Sequence, residues 1–348
     1  MGGAPLETRS VPEVRVLIDG ARLPPSVETA VQVVEVDQSL SLIDQATVQL
    51  ANGRGSVSEL NVFAFGKELE IQLGYIGKIK TVFKGDLIAV EPCFPQSGSA
   101  SVTVRAYDKL HRYRRGRHQR TFLNQKVSDV VTTLASEEGL RPQVEDTGHT
   151  LEYLLQNNQT NIEFIKELAR RAYFEVFVRD DALHFRRPKY DQGKALTLEW
   201  NQNLKSFHVR KSSANVPTKV QTRYWDMLQK KHVVQAHGRL HGKLGPDIAA
   251  ETKKAFGVGD VQISARTHTL PGEAEDLAFA IYNEHALRST RGHGSAYGDP
   301  EIEPGQVIEL EGLSKLWDGK YYVTACTHMY DVFGGGYTTE FRVHGTGA

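Results

Sequence analysis

Three groups of residues have types and spacings that could do chemistry. Between Lys109 and Arg120 six Lys or Arg side chains fall in twelve positions, with His111, Tyr113 and His118 interleaved. Such a run can bind phosphates, pair with carboxylates across a subunit boundary, or stay solvated as a linker. His232, His237 and His241 lie within ten residues, and the last two have the i,i+4 spacing with which a helix offers two imidazoles to zinc. Gly238 stands where that pattern wants a glutamate, so the three read as polar surface histidines and no metal is expected. Glu137 and Asp146 form a carboxylate pair of the kind that cleaves glycosidic bonds. The chain has neither a Gly-x-Ser-x-Gly elbow nor a phosphate loop ending in Gly-Lys-Ser/Thr, and no cofactor is expected.

The elements that must position these residues fall into two β-rich stretches around mixed ones. Val14–Ile18, Val31–Val36 and Ala46–Leu50 alternate apolar and polar residues, separated by turn signals at Asp19-Gly20, Pro24-Pro25 and Asn52-Gly53. The period then changes. Ser128 can cap a helix carrying Val130, Val131, Leu134 and Ala135 and stopped by Gly139. Thr160-Asn161-Ile162-Glu163 is a capping box opening a second helix, which buries Phe164, Ile165, Leu168 and Ala169. A hairpin follows at 174–178 and 182–185, and a further helix is expected over 273–291.

Residues 66–106 and 305–345 look like two copies of one strand-turn-strand-turn-strand unit. Gly66-Lys67-Glu68-Leu69-Glu70-Ile71 matches Gly305-Gln306-Val307-Ile308-Glu309-Leu310, and Phe83-Lys84-Gly85 matches Trp317-Asp318-Gly319. The third strands pair Val102–Arg105 with Phe341–His344. The expected fold is therefore α+β, mainly β, with two similar small antiparallel β-barrels joined by α+β segments. Residues 1–115 would be the first barrel and 116–200 an α+β middle domain; 201–235 with 298–348 would be the second barrel, and 236–297 an α+β insertion.

Composition narrows the function. A chain of 348 residues can bury two or three cores, and 40% hydrophobic with 24% charged residues is ordinary globular usage. The 42 basic and 42 acidic residues cancel, so no global field draws nucleic acid or anionic membrane. The basic run then reads best as ion pairing, which makes Arg112, Arg114, Arg115, Arg117 and Arg120 candidate interface residues. Cys93 and Cys326 read as reduced core residues, and Met1-Gly2-Gly3-Ala4-Pro5 lacks a secretory signal. Synthesis in the cytoplasm is expected.

Leu73-Gly74-Tyr75 with Phe83-Lys84-Gly85, Tyr107-Asp108-Lys109-Leu110-His111-Arg112, Asn158–Ala169, and Gly298–Gln306 with Gly319–Thr324 stand in one order over residues 60–345. In that order they resemble the late control D family, baseplate hub proteins of contractile phage tails similar to the hub part of VgrG-type spike proteins. The resemblance implies a homotrimeric ring in which three chains present six similar barrels, adapting a sixfold tail tube to a threefold central spike. The implied partners are the chain itself, the tail tube protein, the central spike protein and other baseplate proteins, with no specific nucleic acid and no membrane insertion. The implied location is a phage tail or an injection particle, which can be released outside the cell.

Two alternatives remain open in the sequence. One is the hub segment of a VgrG-type effector carrier; His344–Ala348 leaves no room for that family's neck and β-helix, so the spike is a separate chain or the sequence continues. The other is a tail-associated peptidoglycan hydrolase built on Glu137 and Asp146. In the lysozyme-like domains of some hub complexes a threonine stands six positions after the aspartate, whereas this chain has Glu152 there. A non-enzymatic role is the expectation.

Overall fold

The computed structural model describes residues 11–53, 57, 61–226, 230–242, 244, 248–264 and 271–345. The chain start and the terminal residues 346–348, on which two sequence readings fall, lie outside them. In chain order the first stretch forms β1 (Pro12–Ile18), β2 (Ala21–Arg22), a short α1 (Pro25–Glu28), β3 (Val31–Ser39), β4 (Gln45–Ala51), β5 (Glu68–Tyr75), β6 (Lys78–Cys93) and β7 (Ser101–Tyr107). The middle holds β8 (His118–Lys126), α2 (Val127–Glu137), β9 (Arg141–Val144), β10 (Thr150–Gln159), α3 (Asn161–Ala172), β11 (Glu175–Arg179) and β12 (Ala182–Arg186). The last part holds β13 (Leu196–Glu199), β14 (Leu204–Lys211), β15 (Lys219–Asp226), β16 (Lys231–His237), α4 (Ile248–Phe256) and β17 (Asp260–Ser264). It closes with α5 (Pro271–Leu287), β18 (Thr290–Tyr297), β19 (Val307–Glu311), β20 (Gly319–Asp331) and β21 (Gly336–Gly345).

Alternation in the first stretch makes the strands it predicts. Val34, Val36, Ala46, Val48, Leu50, Leu69, Ile71, Leu73, Val102, Val104 and Ala106 are all essentially inaccessible, one face of a pleated surface closing on one core. At roughly 25 cal/mol per Å² of apolar area, each Val, Leu or Ile among them stabilises by about 1.5–3 kcal/mol.

The duplication is visible in the hydrogen bonds. On the first copy Gly66 donates to the Leu87 carbonyl and Leu87 to Lys67; on the second Gly305 donates to Val323 and Val323 to Gln306, all at 2.9 Å. Both glycines have positive φ, 81° and 86°, which a side chain resists. The register slips between Leu87 and Ala89 against β7, and in the same place between Val323 and Ala325 against β21. The likeness extends to two more strands, because β3–β4 slips between Val31 and Val33 and β14–β18 between Leu204 and Ser206. The repeated unit is thus five strands, β3 to β7 matching β14 and β18 to β21.

The pairing corrects the sequence match by two residues. Glu68 faces Asp86 and Val307 faces Tyr322, so Asp86 is equivalent to Tyr322 and Gly85 to Tyr321, not to Gly319. A slip of two keeps every side chain on its face, so alternation alone could not detect it.

Among the described residues neither copy closes into a barrel of its own, contrary to expectation. Their strands run on in one thirteen-stranded sheet, β14-β18-β21-β20-β3-β4-β7-β6-β5-β1-β2, with β19 between β20 and β13. The reason is that β20 is long enough for two partners: its first half pairs β19 and its second half, Ala325–Asp331, pairs β3 of the other copy. Strands are also allotted differently. Lys219–Asp226, expected in the second unit, pairs β16 and β17 in a separate three-stranded sheet under α5, while Thr290–Tyr297 is the strand that joins β14 and β21. The last helix ends at Leu287, short of Arg291.

The middle segment follows the sequence more closely. Thr160 and Glu163 make the reciprocal capping bonds, 3.3 Å from the Glu163 N–H to Thr160 Oγ1 and 2.9 Å from the Thr160 N–H to Glu163 Oε2. Helix α2 starts two residues earlier than expected: Lys126 is its cap in place of Ser128, with its N–H donated to Asp129 Oδ2 at 3.2 Å, and Ser128 is buried within the first turn. Replacing Gly66 or Gly305 by alanine should cost about 1–2 kcal/mol each, from the positive φ. Gly305→Ala should cost the more, since its Cβ would lie 2.9 Å from the Arg186 guanidinium while that of Gly66 meets open space. Urea unfolding midpoints of the two variants would check the order.

Candidate functional site

The basic run splits into two kinds of arginine. Asp108 caps a 3-10 turn at Lys109–Arg114 by accepting the Leu110 N–H at 2.9 Å. That turn swings His111 and Arg112 onto the buried Asp86 of β6. Arg112 donates Nε at 2.7 Å to Asp86 Oδ2 and Nη2 at 2.9 Å to Oδ1, and His111 Nε2 lies 2.8 Å from Oδ2. Burial alone would raise the Asp86 pKa, but the Arg112 and His111 hydrogen bonds outweigh it and hold the carboxyl below its usual value. Arg120 is spent likewise, on Gln156 and Asn161 at 2.9 Å and Glu137 at 3.0 Å. Arg117 reaches the Asn158 carbonyl and Glu163. Arg114 and Arg115 are exposed, with no ion pair among the described residues.

The carboxylate pair is not brought together as a catalytic site. Glu137 ends α2 and is tied to Arg120, while Asp146 follows β9 and accepts from Lys126 Nζ at 2.9 Å. The Lys126 hydrogen bond holds Asp146 below its usual pKa, where a general acid needs the opposite. Of the three histidines, two share one aromatic neighbour and the third stands apart. His232 packs on Trp225, His237 and His241 on Phe279, and among the described residues no cluster could hold a metal ion. The latter two are half-buried ring contacts, not plain surface groups.

What sequence reading missed is the polar seam where the two copies meet. Gln38 on β3 donates Nε2 to the Val82 carbonyl at 3.1 Å and accepts from Cys326 Sγ at 3.5 Å, and Thr327 donates to Asp37 at 2.7 Å. His328 is wholly buried beside Thr339 at 3.0 Å and Tyr337 at 2.9 Å, and burial drives its pKa down to about 4. Cys326 is buried here, but Cys93 is exposed, against expectation; its counterpart in the second copy is not Cys326 but Met329, which is exposed as well.

A family model described as Alg8 N-terminal domain matches residues 8–331. The chain belongs to the Alg8 N-terminal domain family. No curated protein sequence matches it. Among solved structures, the 43 kDa tail protein of prophage MuSo2 from Shewanella oneidensis is similar with a TM-score of 0.71 and 12% identity, over 96% of this chain and 98% of the other. A tail protein from Neisseria meningitidis MC58 gives the same TM-score and identity, over 96% of both chains. An E. coli component of the type VI secretion system, described as similar to the T4 bacteriophage tail proteins gp27 and gp5, gives 0.61 at 12% identity, over 94% of this chain and 76% of that one.

This Alg8 N-terminal domain chain therefore has the fold of phage tail and type VI spike-related proteins, as the late control D resemblance led one to expect at that level. The family shown by name is a different one. No described helix of this family member is long and apolar enough to cross a membrane.

Two measurements follow from the seam and the arginines. Replacing Arg112 by alanine leaves the buried Asp86 charge poorly paired and should cost about 2–3 kcal/mol, the usual penalty reduced because the guanidinium is partly exposed. Arg114→Ala and Arg115→Ala should stay within about 0.5 kcal/mol; chemical denaturation separates the two classes. For His328 the folded pKa lies below the unfolded one, so its contribution is present above about pH 6.5 and is lost as pH falls toward its folded pKa of about 4. The slope is at most about 1.4 kcal/mol per pH unit, and a His328→Asn variant should lose that part of the acid sensitivity in Tm-versus-pH scans.

Proposed function

We propose that this chain is the structural baseplate hub of a contractile injection system or phage tail, a homotrimer that adapts a sixfold tail tube to a threefold spike. The observation that carries the reading is the register-identical five-strand unit occurring twice in one chain. Three chains offer six near-equivalent units, the number a sixfold tube needs, while the parts that differ between copies repeat only three times. No bond is made or broken in this role. The hub caps the tube, holds the spike and moves with both.

In this reading the late control D motifs and the tail-protein fold describe one assembly, and the partners are tube, spike and neighbouring baseplate proteins. The first unit ends with β7 and the α+β middle runs to β13. The second unit is built from β13, β14 and β18 to β21, around an insertion of β15 to α5. The chain is made in the cytoplasm and ends up in the particle. Likeness to an E. coli type VI component supports a second reading, the hub segment of a VgrG-type carrier. That reading predicts more coding sequence directly after Ala348, which the gene would reveal.

Light scattering of the purified chain should give three times the 38.8 kDa chain mass, and pull-down should retain tube and spike proteins. A strict monomer that retains neither would overturn the hub. Release of muropeptides from peptidoglycan by the purified chain, abolished by Glu137→Gln, would replace the structural role with a hydrolytic one.

A further inference from the structure

The edges of the thirteen-stranded sheet carry a more specific message. Within the chain, the second half of β20 lies antiparallel on β3, with Thr327 opposite Asp37, Met329 opposite Glu35 and Tyr330 opposite Val34. By the registers above, β6 is the copy of β20 and β14 the copy of β3. Among the described residues, β6 beyond Leu87 pairs only β7, and β14 over Ser206–Lys211 pairs only β18. The two strands that meet inside the chain thus have counterparts whose matching edges are both open.

We propose that these edges pair between chains: the Ala89–Pro95 edge of one copy lies antiparallel on the Ser206–Ser212 edge of the next, repeating the β20–β3 contact. The inference deepens the hub reading and rests on it for closure of the ring at three. Carrying the internal register across sets Glu91 opposite Arg210, Cys93 opposite His208 and Phe94 opposite Phe207. None of these pairs was used to define the register, yet the first joins opposite charges and the last two aromatics, both favourable directly across a ladder.

Burial points the same way. Tyr330, the counterpart of Phe94, is partly covered by the first core, whereas Phe94 is 65% exposed. Val34 and Val36, on the strand that β20 flanks, are completely buried, but their counterparts Phe207 and Val209 on the open edge are only partly so. A second copy supplies what each lacks. Val332 donates to the Gln32 carbonyl at 3.0 Å, so alternate residues Tyr330 and His328 also turn their backbone toward β3. On β6 the counterpart of His328 is Pro92, which keeps its carbonyl but has no N–H. The ladder between chains would be one bond short of the internal one, and proline here is confined to an edge, where sheets tolerate it. A heterologous contact of this kind closes into a ring when its rotation divides the circle.

Cys93 provides the test. The pair Cys93–His208 falls at a non-hydrogen-bonded position, with Cα atoms about 4.5 Å apart and within reach of a disulfide. Mild oxidation of full-length His208→Cys should give a non-reducing ladder that stops at three chains. The ladder should be absent from the parent chain and from the Cys93→Ser, His208→Cys double variant. Glu91→Arg and Arg210→Glu should each weaken assembly about five-fold, and together restore it. A trimeric mass without the cross-link would overturn the proposed edges while leaving the hub reading standing. A monomeric mass without it would overturn both.

Discussion

A strand edge left unpaired exposes a row of backbone donors and acceptors, and the way this chain handles its edges organises the rest of it. The pairing of Ala325–Asp331 with Val33–Ser39 joins residues nearly 300 positions apart and makes two copies of a five-strand unit into one sheet. It fixes the relation of the copies through backbone hydrogen bonds, which tolerate no sliding. On this seam Cys326 with Gln38 and Thr327 with Asp37 make side-chain hydrogen bonds that exist only when both copies are in place.

The mixed segments are fastened to this sheet by a few buried polar groups. Tyr322 donates from its hydroxyl to Glu175 at 2.8 Å, and burial raises the Glu175 pKa to about 7, with Arg186 and Tyr322 opposing that rise. Arg179 pairs Glu303 at 3.0 Å, and Lys80 reaches the same carboxylate at 2.7 Å, so β6, the β11–β12 hairpin and the turn before β19 share one ion cluster. Much of the charge that looked available for partners is consumed in this way. Arg112, Arg117 and Arg120 hold the chain to itself, and Arg114 and Arg115 alone of the five candidates face outward unpaired among the described residues.

Local chemistry made much of the fold legible. The alternation of Val31–Val36 and Ala46–Leu50, the Thr160–Glu163 box and the hairpin of 174–178 with 182–185, whose connecting Asp180 and Asp181 both adopt positive φ, each act within a few residues and came out as read. The candidate site was less legible. Neither Asp86 as the destination of Arg112 nor the separation of Glu137 from Asp146 has a sequence signal, because both depend on which strand lies beside which. Cys93 and Cys326 look alike in sequence, but the register makes Cys326 the counterpart of Val90 and Cys93 that of Met329, an odd offset that puts them on opposite faces of the sheet.

By itself, then, the sequence determined the strands, the capped helices and the fact of duplication, since period, caps and glycine turns are set by short-range sterics and burial. Only the tertiary structure decided the register of the two copies, their fusion into one open sheet instead of two barrels, and the internal use of the arginines. A period of two leaves register ambiguous by any even slip, and the partner of a long strand such as β20 is chosen by backbone geometry that no single segment encodes.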